Sequence, residues 1–311
     1  MQQITDTLLM VRPASFNSNP ETAVNNYFQK EIEGLSDEAL NDKAKAEFDQ
    51  FVAKLRENGI QVIVVEDDRS NNTPDAVFPN NWVSFHANGD VVLYPMFAES
   101  RRRERREEVL EAVEAAGFKI ESITDYTGAE EEGVFLEGTG SLLLDRVNGI
   151  AYCALSDRAH EDMLIEFCED YEYTPVIFTA NQSVNGQRLA IYHTNVMMAL
   201  AENFAVICLD SIDDKKERKN VVKHLKESGK EIVDITEAQM HAFAGNMLQV
   251  RNKDGKKFMV MSKAADDSLS DKQRAQIEAH CEILSSSLTV IETCGGGSAR
   301  CMMAEVFLPK A

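Results

Sequence analysis

The feature of this sequence that most restricts its fold is a repeat. Apolar, β-prone clusters occur at residues 61–65, 119–123, 175–178, 231–235 and 288–291. With Val62, Ile120, Val176, Ile232 and Val290 as anchors, the spacings are 58, 56, 56 and 58 residues. Such regularity marks one supersecondary unit used five times, each copy completing its core against its neighbours. The second copy shows the internal order. Residues 140–144 read as a buried strand, and Asn148-Gly149 as a turn into a second strand at 150–155. Ser156 and Asp157 are placed to cap a helix running to about Tyr171, and a third strand covers 174–178. First strands of the other copies are expected at 81–85, 195–199, 246–250 and 301–305.

The predicted unit is therefore ββαβ. The last copy stops at Ala311 after one strand, while the N-terminal segment offers a strand at 8–11, a helical region from about Glu21 to Asn58, and the strand at Val62. Together the two ends make one unit. The expectation is a single α/β domain over residues 1–311, a five-bladed α/β propeller closed into a ring by a blade that the N- and C-terminal segments share. Closure also leaves few sheet edges to protect. The acidic and basic runs fall on helices expected over 99–116 and 213–228, where they read as solvated faces.

With 52 acidic against 32 basic residues the chain carries a formal charge of −20, which argues against a nucleic-acid partner. Without a basic leader, and without an apolar stretch of about 18 residues, no membrane association is expected and a cytoplasmic location is. The six cysteines show neither CxxC pairs nor Cys/His metal spacing, so they read as reduced thiols with no metal site.

Around a common axis, the residues just ahead of each first strand converge. Four of them carry chemistry, each from a different unit: Asp75, Glu137, His193 and Cys301. A thiol, an imidazole and two carboxylates are the parts of a cysteine-dependent catalytic centre. The run Gly295-Gly296-Gly297 ahead of Cys301 permits close backbone approach and leaves N–H groups for a developing charge. Cys294 is the rival thiol. His160, His224 and His280 fall on predicted helices, His86 in a strand and His241 in a loop, so only His193 occupies the converging position. Glu137, between Leu136 and Gly138, reads as a buried carboxylate needing a partner such as the second imidazole nitrogen. Asp75 after Pro74 also fits a simple turn residue. Asn246 reads as structural.

The segments 74–82, 136–141, 192–195 and 295–301 resemble the pentein, or guanidino-group-modifying, superfamily, which includes arginine deiminases, dimethylarginine hydrolases and amidinotransferases. The set is most similar to its bacterial amidinotransferase-like and citrulline-utilisation hydrolases. The resemblance implies a propeller fold with Cys301 as nucleophile, His193 as general acid/base, Glu137 orienting that histidine and Asp75 binding guanidino or ureido nitrogens. Phe78, Asn80 and Asn195 join Asp75 as expected substrate contacts. Thiolate attack on the guanidino carbon and protonation of the departing nitrogen would leave a covalent adduct that water resolves, with no metal or organic cofactor. Asn195 stands where arginine deiminases of this superfamily usually carry an acid, which tilts the expectation toward a neutral ureido substrate such as citrulline. Arg188 or Arg300 is expected to hold a substrate α-carboxylate, or Arg300 to activate the neighbouring thiol. The expected activity is hydrolysis of a C–N bond in an arginine- or citrulline-like small molecule. Alternatives are amidino transfer to an amine and a non-catalytic binding module, and superfamily precedent makes a homodimer possible.

Overall fold

The computed structural model describes residues 2–311. Among the described residues there are seventeen strands: β1 (Thr7–Arg12), β2 (Gln61–Glu66), β3 (Val83–Phe85), β4 (Asp90–Leu93), β5 (Ser122–Asp125), β6 (Leu143–Asp145), β7 (Ile150–Ala154), β8 (Thr174–Phe178), β9 (Asn181–Val184), β10 (Gln187–Ala190), β11 (Met198–Leu200), β12 (Phe204–Ile207), β13 (Glu231–Asp234), β14 (Leu248–Arg251), β15 (Lys257–Ser262), β16 (Glu282–Ser286) and β17 (Ala304–Glu305). They form five three-stranded sheets, β3-β4-β5, β6-β7-β8, β11-β12-β13, β14-β15-β16 and β17-β1-β2, with β9-β10 as a separate hairpin. In each triple the first pair is antiparallel and the second parallel. A parallel pair needs a crossover, and helices lie between the second and third strands of every unit.

The chain ends do meet in one sheet. Leu8 pairs with Glu305 across an antiparallel ladder, and β1 runs parallel to β2 from Thr7↔Gln61 to Arg12↔Glu66. The central strands β1, β4, β7, β12 and β15 are buried almost throughout, as expected of strands covered on both faces. Among the described residues none of the sheets closes on itself, so hydrogen bonding alone does not make the expected ring.

Two of the five anchors are misplaced. Ile120 precedes β5 by two residues, and Val290 is not in a strand at all. The fifth third-strand is Glu282–Ser286, paired parallel to β15. Third strands start at 61, 122, 174, 231 and 282, spacings of 61, 52, 57 and 51, so the repeat is real and its regularity is looser than the sequence suggests. At 288–291 the β-branched run loses to a helical turn because the Glu47 carboxylate accepts the Val290 and Ile291 N–H groups at 2.9 and 3.0 Å.

The helix Asp37–Glu57 starts where Ser36 accepts the Ala39 N–H, buries Leu40, Ala44, Phe48, Phe51 and Leu55 along one stripe, and ends before Gly59 at φ 81°. Residues 24–36 ahead of it are not the continuous helix expected from Glu21. The helix expected over 99–116 is also broken, into Glu99–Arg102 and Glu107–Ala115, and its charge run is not all solvated: Arg101 and Glu104 are buried and paired at 2.9 Å. Among the described residues, no helix is long and apolar enough to cross a membrane.

Candidate active site

A helical turn precedes three of the first strands where the sequence suggests the strand itself. These turns are Pro79–Asn81, Gly138–Ser141 and Thr194–Met197, and a fourth, Ala299–Met302, precedes β17. They carry or flank the expected chemistry. Gly138 at φ 44° and Gly140 make the convergence possible. A Cβ on Gly138 would lie 2.5 Å from the Asn80 carbonyl oxygen, and one on Gly140 2.3 Å from Asn81 Nδ2 and 2.8 Å from His193 Nδ1.

Cys301, His193, Asp75 and Phe78 line one cavity, together with Thr22, Asn26 and Tyr192. Glu137 stands behind His193, its Oε2 2.7 Å from Nε2, and is fully buried. Its carboxyl is lowered to about 2, because Arg158, His193 and Arg101 together outweigh the burial that pushes it up. An ionised carboxylate only accepts, so Nε2 is the protonated nitrogen and Nδ1 carries the lone pair. Nδ1 is buried with no hydrogen-bond partner. Burial lowers the His193 pKa to about 4 against the opposing pull of Glu137, so the imidazole is neutral near pH 7. It is a vacant proton acceptor beside the cavity.

Asp75 is 2% exposed. Its Oδ2 accepts from Asn19 Nδ2 at 2.7 Å and Thr22 Oγ1 at 3.2 Å, while Oδ1 has no partner. Burial pushes this carboxyl up, and Arg101 and Arg158 pull it down. A buried acceptor left open costs about 1–3 kcal/mol unless a ligand fills it. The Cys301 Sγ lies 3.3 Å from Asn246 Nδ2 and 3.5 Å from Asn195 Nδ2. Both amides are placed to donate to a thiolate.

The other expected residues fall elsewhere. Asn195 lies against the thiol, its Nδ2 3.5 Å from Sγ. Asn80 is buried with Nδ2 3.3 Å from Thr139 Oγ1, outside the cavity lining. Arg188 is a correction: it lies on β10, held by Asp213 and Glu237 at 2.8 Å each on the protein surface. Arg300 is a second one as a carboxylate binder, while its charge stays within electrostatic reach of the adjacent Cys301. Its guanidinium donates to the Met303 carbonyl and Glu305, both at 2.8 Å, and does not line the thiol cavity. The glycine loop also differs in detail. The Gly296 N–H is spent on the Glu292 carbonyl, and the loop's carbonyls accept from Tyr192 Oη at 2.6 Å and Asn26 Nδ2 at 3.3 Å. What requires glycine there is Phe78, whose Cζ would lie 2.8 Å from a Cβ at 295 and 2.9 Å from one at 297. Cys294, the rival thiol, lies outside the cavity and packs in the core with Ile291 and Leu288.

Sequence reasoning missed four contributors. Arg158 is 2% exposed, pairs with Glu137 at 3.6 Å and donates to Asn25 and the Thr22 carbonyl. Arg101 donates to Asn81 at 2.7 Å. Asn246, read as structural, touches the thiol. The segment 19–29 covers the cavity through Asn19, Thr22, Asn25 and Asn26, and leaves about 10 Å³ inside, room for a single water. Arg101 was hidden by its charged neighbours, and the cover has no sequence period to betray it.

Among the described residues, no group of three or more His, Cys, Asp or Glu side chains is gathered as a metal-binding set.

Comparison with known proteins agrees with this architecture. The family model described as N,N dimethylarginine dimethylhydrolase, eukaryotic, matches residues 12–308. No curated protein sequence matches the chain. Among solved structures, the apo form of ArgZ, an arginine dihydrolase from the ornithine-ammonia cycle in cyanobacteria, shares the fold at TM-score 0.73 and 18% identity, over 98% of this chain and 41% of that one. The chain thus spans about two-fifths of full-length ArgZ. The product-bound N-terminal domain of ArgZ gives TM-score 0.70 and 19% identity over 97% of this chain and 99% of the domain. A dimethylarginine dimethylaminohydrolase adduct with S-methyl-L-thiocitrulline gives 0.62 and 14%, over 97% and 99%. With the family model covering almost its whole length, the chain belongs to the dimethylarginine dimethylhydrolase family, within the pentein superfamily.

Proposed function

We propose that this protein is a cysteine-dependent hydrolase that cleaves a C–N bond in the guanidino group of an arginine-like amino acid. The observation that carries this reading is that Cys301, His193 and Asp75 line one cavity, and that the last two each keep a buried atom without a partner, Nδ1 and Oδ1. A guanidinium presents planar N–H donors to Oδ1, and its leaving nitrogen exchanges protons with Nδ1. The solved ArgZ and dimethylarginine dimethylaminohydrolase structures, described as bound to product and as a thiocitrulline adduct, support the substrate class.

In the proposed cycle Asp75 orients the guanidinium, with the cover's Asn19 and Thr22 already on its other oxygen. The thiol proton leaves to His193 Nδ1 and Sγ bonds to the guanidino carbon. Asn246 and Asn195 steady the thiolate beforehand. The imidazolium, held by Glu137, protonates the departing nitrogen as the C–N bond breaks. His193 then takes a proton from water, whose oxygen attacks the same carbon and releases Cys301. In the same reading one domain holds five units around a common axis, with β17, β1 and β2 as the shared blade. The packing of β3 against β17, and of β11 against β6 and β14, supports that arrangement.

Product analysis by mass spectrometry, after incubation with arginine, monomethylated and dimethylated arginine and citrulline, tests the reading. Release of ammonia or a methylamine from a guanidino substrate supports it. Turnover of citrulline alone, or a guanidino group transferred to added glycine without hydrolysis, overturns it.

A further inference from the structure

A second cavity, of about 290 Å³, opens at the other end of the same unit. Glu137 precedes β6 and Arg146 follows it, so the two cavities sit at opposite ends of that strand. Arg146 lines the second cavity and is 7% exposed. Its guanidinium stacks on the Phe307 ring at 4.2 Å.

The local charge does not balance. Arg146 and Arg300 line a shared internal space with a single carboxylate, Glu305. Glu305 is 2.8 Å from Arg300 and no carboxylate lies within ion-pairing distance of Arg146 among the described residues. The adjacent Asp145 is taken by Lys230 at 3.2 Å. His86, also lining the cavity, brings no charge, since burial first and Arg146 second drive its pKa well down. Arg146 thus has Phe307 and Tyr173 beside it but no carboxylate, and the cavity it lines is where a ligand's anionic group would meet it.

The rim has the opposite character. Glu169, Asp170 and Glu172 are exposed at the mouth, Asp170 accepting from Tyr126 Oη at 2.6 Å, and Glu172 is held at φ 57°, a left-handed conformation unusual for a non-glycine residue. Tyr171, Tyr173 and Phe307 form the walls. A simple anion such as phosphate would be repelled by the acids on its way to the arginine. A molecule carrying a carboxylate at one point, an ammonium a few ångströms away and an apolar body would satisfy floor, rim and walls together.

We propose that this cavity binds a free α-amino acid with an apolar or aromatic side chain, its carboxylate on Arg146, its ammonium toward Glu169 and Glu172, and its side chain against the tyrosines and Phe307. The site is separate from the Cys301 cavity and does not depend on the activity proposed there.

The test is isothermal titration calorimetry of the full chain with L-phenylalanine, L-phenylalaninamide, 3-phenylpropionate and inorganic phosphate. L-phenylalanine is expected to bind saturably. The amide, lacking the carboxylate, and phenylpropionate, lacking the ammonium, should each bind at least about tenfold more weakly, and phosphate should give no saturable heat. Arg146→Met should weaken L-phenylalanine binding by at least about tenfold and Glu172→Gln by a few-fold, while Asp75→Asn should leave it unchanged. If Arg146→Met fails to fold, the ligand series on the unaltered chain and the exposed Glu172→Gln variant still decide. The proposal is overturned by absence of saturable binding up to about 10 mM, by phosphate or phenylpropionate binding as tightly as the amino acid, or by loss of binding in Asp75→Asn with retention in Arg146→Met.

Discussion

Cys301 is one of six free cysteines, all buried, and what distinguishes it is two asparagine amides on its sulfur. A hydrogen bond to a charged group contributes about 1.5–3 kcal/mol, so Asn246→Ala should slow alkylation of Cys301 by iodoacetamide by about 10- to 100-fold with the fold intact. Peptide mapping and circular dichroism would check this, and an unchanged rate would remove Asn246 from the site. Cys301→Ser should leave a folded protein without measurable turnover. On the proposed reading the His193–Glu137 pair sets the acid limit. His193 is lowered from 6.5 to about 4, so the imidazole is neutral and able to accept a proton above about pH 4 and loses that ability as pH falls through this value. The acid limb of the kcat/KM profile of the free enzyme is expected near pH 4; a limb at 6.5 or above would contradict the role. The same shift makes acid destabilising. The unfolded chain binds the His193 proton below about 6.5 and the folded chain does so only near 4, so stability is lost as pH drops through that window. Glu137, lowered to about 2, extends the loss below its unfolded value of 4.5.

At the level of elements, the unit was legible because period and turn chemistry agree. The Asn148-Gly149 turn and second strand of the second copy stand as expected, with Gly149 at φ 62°, while the first strand begins only at Leu143, after a helical turn, and the helix begins at Glu161, past Ser156 and Asp157. Convergence of Asp75, Glu137, His193 and Cys301 was legible for the same reason, since equivalent positions in a repeat lie at equivalent places in space. Arg158, Arg101 and the cover were not. Each is fixed by tertiary partners with no local signature: Arg158 by Glu137 and Asn25, Arg101 by Glu104 and Asn81, and the cover by Asp75 and the glycine loop. Arg188 misled because an arginine near a motif in sequence was read as near it in space, and Arg300, though beside Cys301, turns its guanidinium to Glu305 and the Met303 carbonyl. The error at 288–291 has one cause, the Glu47 carboxylate reaching across from another helix. Glu47→Ala should therefore cost about 1–2 kcal/mol in urea unfolding. Arg158→Met, which strands Glu137 in the interior, should cost more, about 3–5 kcal/mol.

For the whole molecule, the joined ends are the critical seam. β17 is two residues long, yet it covers the edge of β1 while Val306 donates its N–H to the Thr7 carbonyl. Truncation after Met303 should expose that edge and give a destabilised or self-associating protein, read by thermal unfolding and sedimentation. The cover over the cavity has a different consequence, which concerns entry. With about 10 Å³ of free room the cavity holds a single water, so in the proposed cycle residues 19–29 must move aside before an arginine-like molecule can reach Asp75 and Cys301, and the rate of that movement bounds turnover.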